Sequence, residues 1–125
     1  MSTETNKAAV LRQVEALSTR DLGMLDKRAD ELYTADYIVQ DPRFPEPGRG
    51  PASVKQFVRG ILTDMPDLQM TVEDLFAEGD KVASRFTVRG TNAPTGKPAT
   101  LTAIVISRFT AGKIAEEWEL VGPVA

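Results

Sequence analysis

The apolar positions of the first part of the chain recur at helical spacing. In residues 6–18, Ala9, Val10, Val14 and Leu17 share one face, which predicts a helix with a buried stripe and Thr5 as its N-cap. After Ser18-Thr19-Arg20-Asp21 the period resumes with Leu22, Leu25, Ala29, Leu32 and Tyr33, so a second helix is expected beside the first. Tyr37-Ile38-Val39-Gln40 is short and β-branched at its centre, and Asp41-Pro42 stops it by removing a backbone donor. The segment RFPEPGRGP that follows holds three prolines and two glycines, the composition of a loop and the candidate lid of the protein. Pro51 suits the first turn of a helix over about 51–64, whose apolar face is Val54, Phe57, Val58, Ile61 and Leu62.

From Leu68 onward the period is two. Leu68, Met70 and Val72 alternate with Gln69, Thr71 and Glu73, the signature of a half-buried strand. Glu78-Gly79-Asp80-Lys81 reads as a tight turn with Gly79 at positive φ, and Lys81 to Thr91 as the returning strand. The loop from Thr91 to Pro98 leads into a long strand at 99–110, and Ala111-Gly112-Lys113 turns the chain into a last strand, KIAEEWEL. Helices first and an antiparallel meander afterwards predict an α+β domain, with the helices covering one face of a curved sheet.

Composition narrows the chemistry. At 125 residues the chain makes one domain, 1–125, large enough to enclose a small pocket. Its net charge of -3 and the lack of any Lys/Arg run argue against nucleic acid as a partner. There is no cysteine and no histidine. Thiolate chemistry and cysteine metal sites are thereby excluded, as are the usual general base near neutral pH and the commonest transition-metal ligand. No metal and no cofactor is expected, and proton transfer falls to Asp, Glu, Tyr or Lys. No segment has the length and apolarity of a membrane span or signal peptide, so no membrane partner and a cytoplasmic location are the expectation.

The words PDLQMTVEDLFAEGDKVASRFTVRGT, PTGKPATL and FTAGKIAEEWEL, with LYTADYIVQDP before them, resemble the SnoaL-like polyketide cyclases of the nuclear-transport-factor-2-like superfamily. That superfamily also holds ketosteroid isomerases, limonene epoxide hydrolases, cofactor-free hydroxylases and pure binding modules. The resemblance implies a cone: a strongly curved, mostly antiparallel sheet wrapped around N-terminal helices, with a mostly apolar internal pocket. It also implies a homodimer through the outer sheet face and an apolar or polyketide-like small molecule as substrate. In its cyclases the acid that follows the tryptophan of the last strand is the general acid/base, and here that position is Glu119. Three histidines that the family tends to carry are replaced by Gln40, Asn92 and Glu117. The Arg-x-Asp word of the epoxide hydrolases is answered only by Arg85-Phe86-Thr87, which argues against that hydrolytic mechanism.

Strand alternation puts Ala115, Glu117 and Glu119 on one face of the last strand and Ile114, Glu116, Trp118 and Leu120 on the other. Glu119 is the candidate catalytic acid, since a carboxyl in an apolar cavity resists ionisation. Asp41 is a turn former that the resemblance also sets at the pocket mouth as a second acid. Tyr33 and Tyr37 are candidate donors to a substrate carbonyl, Tyr33 also continuing the second helix's stripe. Gln40, Asn92 and Glu117 can align a substrate. Arg85 either faces solvent or orients Glu119. Trp118 and Phe57, with Phe76, Phe86 and Phe109, are read as core that doubles as an aromatic wall. The reaction expected is cyclisation or isomerisation without a cofactor, the alternatives being epoxide opening and a non-catalytic ligand-binding or dimerisation module.

Overall fold

The first two helices begin where a side chain accepts a free backbone N–H, and the first ends at a left-handed residue. The computed structural model describes residues 2–123. Helix α1 (Thr3–Thr19) is capped by Ser2, whose hydroxyl accepts the Thr5 N–H at 3.0 Å. Thr5 therefore lies inside the first turn, not at the cap. Arg20, at φ 58, ends α1, and Asp21 caps α2 (Leu22–Leu32) by accepting from the Met24 N–H. The helical stripe stops one residue short of Tyr33, which opens strand β1 (Tyr33–Gln40) because its backbone pairs with Ile114 far along the chain. Tertiary pairing overrides the local period there.

The proline-rich loop contains a two-residue strand, β2 (Gly48–Arg49), before α3 (Gly50–Asp64). Strands β3 (Gln69–Glu78), β4 (Lys81–Asn92), β5 (Lys97–Thr110) and β6 (Lys113–Pro123) then form the expected meander. The sheet order is β2-β1-β6-β5-β4-β3. All neighbours are antiparallel except β1 and β6, which run parallel. Helix α1 packs on β3 and β4, α3 on β1 and β2, and α2 bridges α1 and α3. The result is an α+β cone: one curved sheet around helices, with the core between them.

Two bulges decide which side chains enter that core. In β3, Val72 pairs with Phe86 and Asp74 with Arg85, so Glu73 is an extra residue. Beyond it Leu75 and Ala77 turn inward, while Phe76 is 65% exposed on the outer face rather than in the core. In β6, Ile114 pairs with Phe109 and Glu116 with Arg108, which leaves Ala115 extra. A bulge shifts side-chain parity as a register slip would. Ile114 is therefore inside with Glu117, Glu119 and Val121, whereas Ala115 shares the outer face with Glu116. Straight alternation misplaces Ile114 and Ala115, but it places both glutamates correctly.

Candidate active site

Helices α1 and α3 and the concave sheet face enclose a cavity of about 610 Å³, with residues 44–48 along its rim. Side chains such as Val10, Val58, Met70, Phe86, Ala103 and Val105 make its wall largely apolar. The carboxylates of the cavity come from the end of β1 and from β6, with Glu46 on the rim.

Asp41 and Glu119 form one acidic pair. Pro42 ends β1, and Asp41 folds back so that its Oδ1 accepts the Arg43 N–H at 2.9 Å while Arg43 Nη2 donates to Oδ2 at 2.6 Å. The same Nη2 lies 3.6 Å from Glu119 Oε2. Arg43 in turn rests over the Phe44 ring. Only 5% of the Asp41 side chain and 17% of Glu119 are accessible. Burial pushes Glu119 up to about 8, helped by its hydrogen bond to Asp41 and by the charges of Glu117 and Asp41. Burial acts on Asp41 in the same direction, but hydrogen bonds from Arg43 and Glu119 outweigh it and hold Asp41 down at about 2. The surroundings thus favour the protonated form of Glu119 and the ionised form of Asp41, the divergence expected of a paired acid and base.

Deeper in the cavity stands a second cluster. Ser107 is directly opposite Glu117 across β5 and β6. The Tyr37 hydroxyl donates to Glu117 Oε1 at 2.7 Å and the Ser107 hydroxyl to Oε2 at 2.6 Å. Burial raises the Glu117 pKa, and the two hydrogen bonds oppose it. Glu117 keeps some surface, which opens into the cavity rather than into bulk water. Tyr33 stands edge-on to Tyr37 with ring centres 4.7 Å apart, and burial pushes both phenols far up.

Of the remaining sequence-derived candidates, Gln40, Arg85, Asn92 and Trp118 lie outside the cavity. Gln40 is exposed and donates to Glu116 outside the cavity, because it has the opposite parity to Val39 and Asp41 on the same stretch. Arg85 is on the outer face, paired with Asp74 at 2.6 Å, and does not reach Glu119. Asn92 closes the β4–β5 loop, its Oδ1 accepting from the Thr95 N–H. Trp118 is half-buried on the outer face opposite Ile106 and Gln40. Phe57 does line the cavity, but at 44% exposure it belongs to the rim and not the core.

Three lining or bridging residues are new. Arg43 follows Asp41 by two, the spacing at which an aspartate turn returns a side chain to its own carboxylate. Ser107 is a polar residue on the inward parity of β5, between Val105 and Phe109. Gln13 sits in the stripe with Val10, Val14 and Leu17, lines the cavity, and has an Oε1 with no partner among the described residues. In both of the last two a polar residue interrupts an apolar period, a signal available in the sequence.

The model of the SnoaL-like polyketide cyclase family matches residues 7–124. AclR from Streptomyces galilaeus, described provisionally as a hydroxylase, is 28% identical with a TM-score of 0.81, over 97% of this chain and 81% of that one. IdmH from Streptomyces antibioticus, described provisionally as a polyketide cyclase, is 27% identical with a TM-score of 0.78, over 93% and 91%. A SnoaL-like protein from Jannaschia sp. CCS1 superimposes at a TM-score of 0.85 with 17% identity, over 95% and 86%, and so shares the fold. No curated protein matches the sequence significantly.

Proposed function

The chain belongs to the SnoaL-like polyketide cyclase family, and from that premise we propose a cofactor-independent cyclase or isomerase of polyketide-type natural-product biosynthesis. Glu119 is its general acid and Asp41 the paired base. The observation that carries this reading is the pair of carboxyls, both within reach of Arg43 inside a largely apolar cavity, whose surroundings drive their pKa values apart.

The chemistry follows from the pair. Glu119 gives its proton to a substrate carbonyl oxygen as an adjacent C–H proton passes to Asp41, and the C–H electrons form the carbon–carbon double bond of an enol. Once Glu119 has turned its proton to the substrate, Asp41 loses a hydrogen bond that held its basicity down. In ring closure the enol carbon attacks a second carbonyl carbon. Asp41 then protonates the new alkoxide and the enol proton returns to Glu119, which restores both groups. The apolar wall orients the flexible substrate and excludes water.

A second reading is favoured by Arg43, which touches both acids. Protonated Glu119 would open an epoxide by protonating its oxygen, and Asp41, fixed by Arg43, would deprotonate the attacking water or substrate hydroxyl. The arginine would then come from the word Asp41-Pro42-Arg43 rather than from the strand that carries Arg85. In either reading the chain is a homodimer through its outer sheet face.

The test is deuterium exchange at the α-carbons of 2-tetralone in D2O, followed by proton NMR. Wild-type protein is expected to accelerate exchange, and Glu119→Gln to lower that acceleration by roughly 10²–10⁴-fold. Equal exchange by wild type, Glu119→Gln and Asp41→Asn would sink the enolisation reading. Conversion of cyclohexene oxide to its diol, lost in Glu119→Gln, would select epoxide opening instead.

A further inference from the structure

The inner cluster of the cavity has a fixed hydrogen-bond polarity. Tyr37 and Ser107 each spend their one hydroxyl proton on Glu117, at 2.7 and 2.6 Å, lengths typical of a hydroxyl donating to an ionised carboxylate. Each Glu117 oxygen thus has one lone-pair direction filled and one left. Tyr37 cannot also donate to a substrate carbonyl, which overturns the role the sequence suggests for it. What this cluster offers a ligand is acceptors only.

Tyr33 is its counterpart. It is only 5% exposed and lines the same cavity, and its hydroxyl makes no hydrogen bond among the described residues. A phenol so enclosed has its proton free for a ligand. The hydroxyl is not sealed off as a buried orphan, and a ligand oxygen in the cavity can accept from it.

We propose that Glu117, oriented by Tyr37 and Ser107, is a subsite for a substrate hydroxyl or phenol, and that Tyr33 beside it donates to a substrate carbonyl oxygen. The substrate class is accordingly a hydroxylated ketone, such as a phenolic or enolised polyketone, whose hydroxyl is free and not methylated. The inference rests on the cavity being the substrate site. It assigns Glu117 to recognition, where Glu119 and Asp41 carry the proton transfers.

A site built to accept from a hydroxyl rejects the analogue that lacks one, because the carboxylate is left without its partner. The experiment is calorimetric titration with 6-hydroxy-1-tetralone, 6-methoxy-1-tetralone and 5,6,7,8-tetrahydro-2-naphthol. Wild-type protein is expected to bind the hydroxy ketone about ten- to a hundredfold tighter than the methoxy ketone. Glu117→Gln should shrink that ratio to within about threefold, as expected on loss of the charge. Tyr33→Phe should keep the hydroxyl preference and lose the advantage of the hydroxy ketone over the tetrahydronaphthol.

Equal affinity of the wild type for hydroxy and methoxy ketones overturns the proposal without any variant, so a misfolded Glu117→Gln protein does not protect it. A preference that persists in folded Glu117→Gln overturns it as well. No turnover is measured, so a cavity that binds but does not catalyse would pass here and fail the exchange assay.

Discussion

Ionisation of Glu119 has a cost to the fold that can be measured. Its carboxyl is raised from the ordinary range to about 8, so the folded state resists its ionisation. The stability this confers is fully present below the unfolded value near 4.5 and is lost as pH rises through about 8. Glu119→Gln has no such loss, and Gln can still donate to Asp41. Thermal melts should therefore find Glu119→Gln the more stable protein at pH 9, by on the order of 2 kcal/mol, with the gap closing toward pH 4. A gap that stays constant with pH would contradict the assigned proton. Glu117 contributes to the same shift by its charge. Glu117→Gln should move the alkaline limb of the exchange rate to lower pH, since Glu119 would then give up its proton sooner. An unmoved limb would separate Glu117 electrostatically from the pair.

The elements place these residues through contacts that single glycines and bulges permit. A Cβ on Gly48 would stand 2.8 Å from Val39 Cγ1 and 3.2 Å from Ser53. Gly48→Ala should thus push β2 off β1, lower stability by roughly 1–3 kcal/mol, and weaken tetralone binding, because Gly48, Val39 and the rim loop all line the cavity. Unchanged melting and binding would mean that the rim gives way freely. The helices, the meander and the shared face of Glu117 and Glu119 were legible in the sequence because they rest on local period and turn chemistry, whereas the family resemblance was needed to turn that face inward. The bulges at Glu73 and Ala115 were not, since each is defined by the partner strand's register. That is why Phe76 was read as core and Ala115 was set beside the glutamates. For the site, Asp41 and Glu119 could be named, but their arginine was sought on β4 because nothing in the word Arg85-Phe86-Thr87 reveals its partner Asp74.

The outer face of the whole sheet is where the exposed apolar residues gather. Phe76, Ile104, Ile106 and Leu120 are 65%, 47%, 40% and 58% exposed. They are contiguous: Ile104 pairs with Leu120, Ile106 with Trp118, and Ala83 joins Ile106 to Phe76. The charges at the border, Arg85 with Asp74 and Arg108 with Glu116, are already paired within the chain, so a partner there meets apolar surface without stranding a charge. A patch of this kind on a sheet marks an association site, and a second copy related by a two-fold axis satisfies it with one self-complementary surface. Light scattering of the wild type should give twice the chain mass. Ile104→Lys combined with Leu120→Lys should give the monomer. Both positions lie on the sheet face opposite Glu117 and Glu119, so the monomer should still bind 6-hydroxy-1-tetralone within a fewfold of wild type. A wild-type monomer at tens of micromolar would refute the dimer, whereas a double variant that loses both dimer and binding would mean that the outer face holds the cavity's shape from behind.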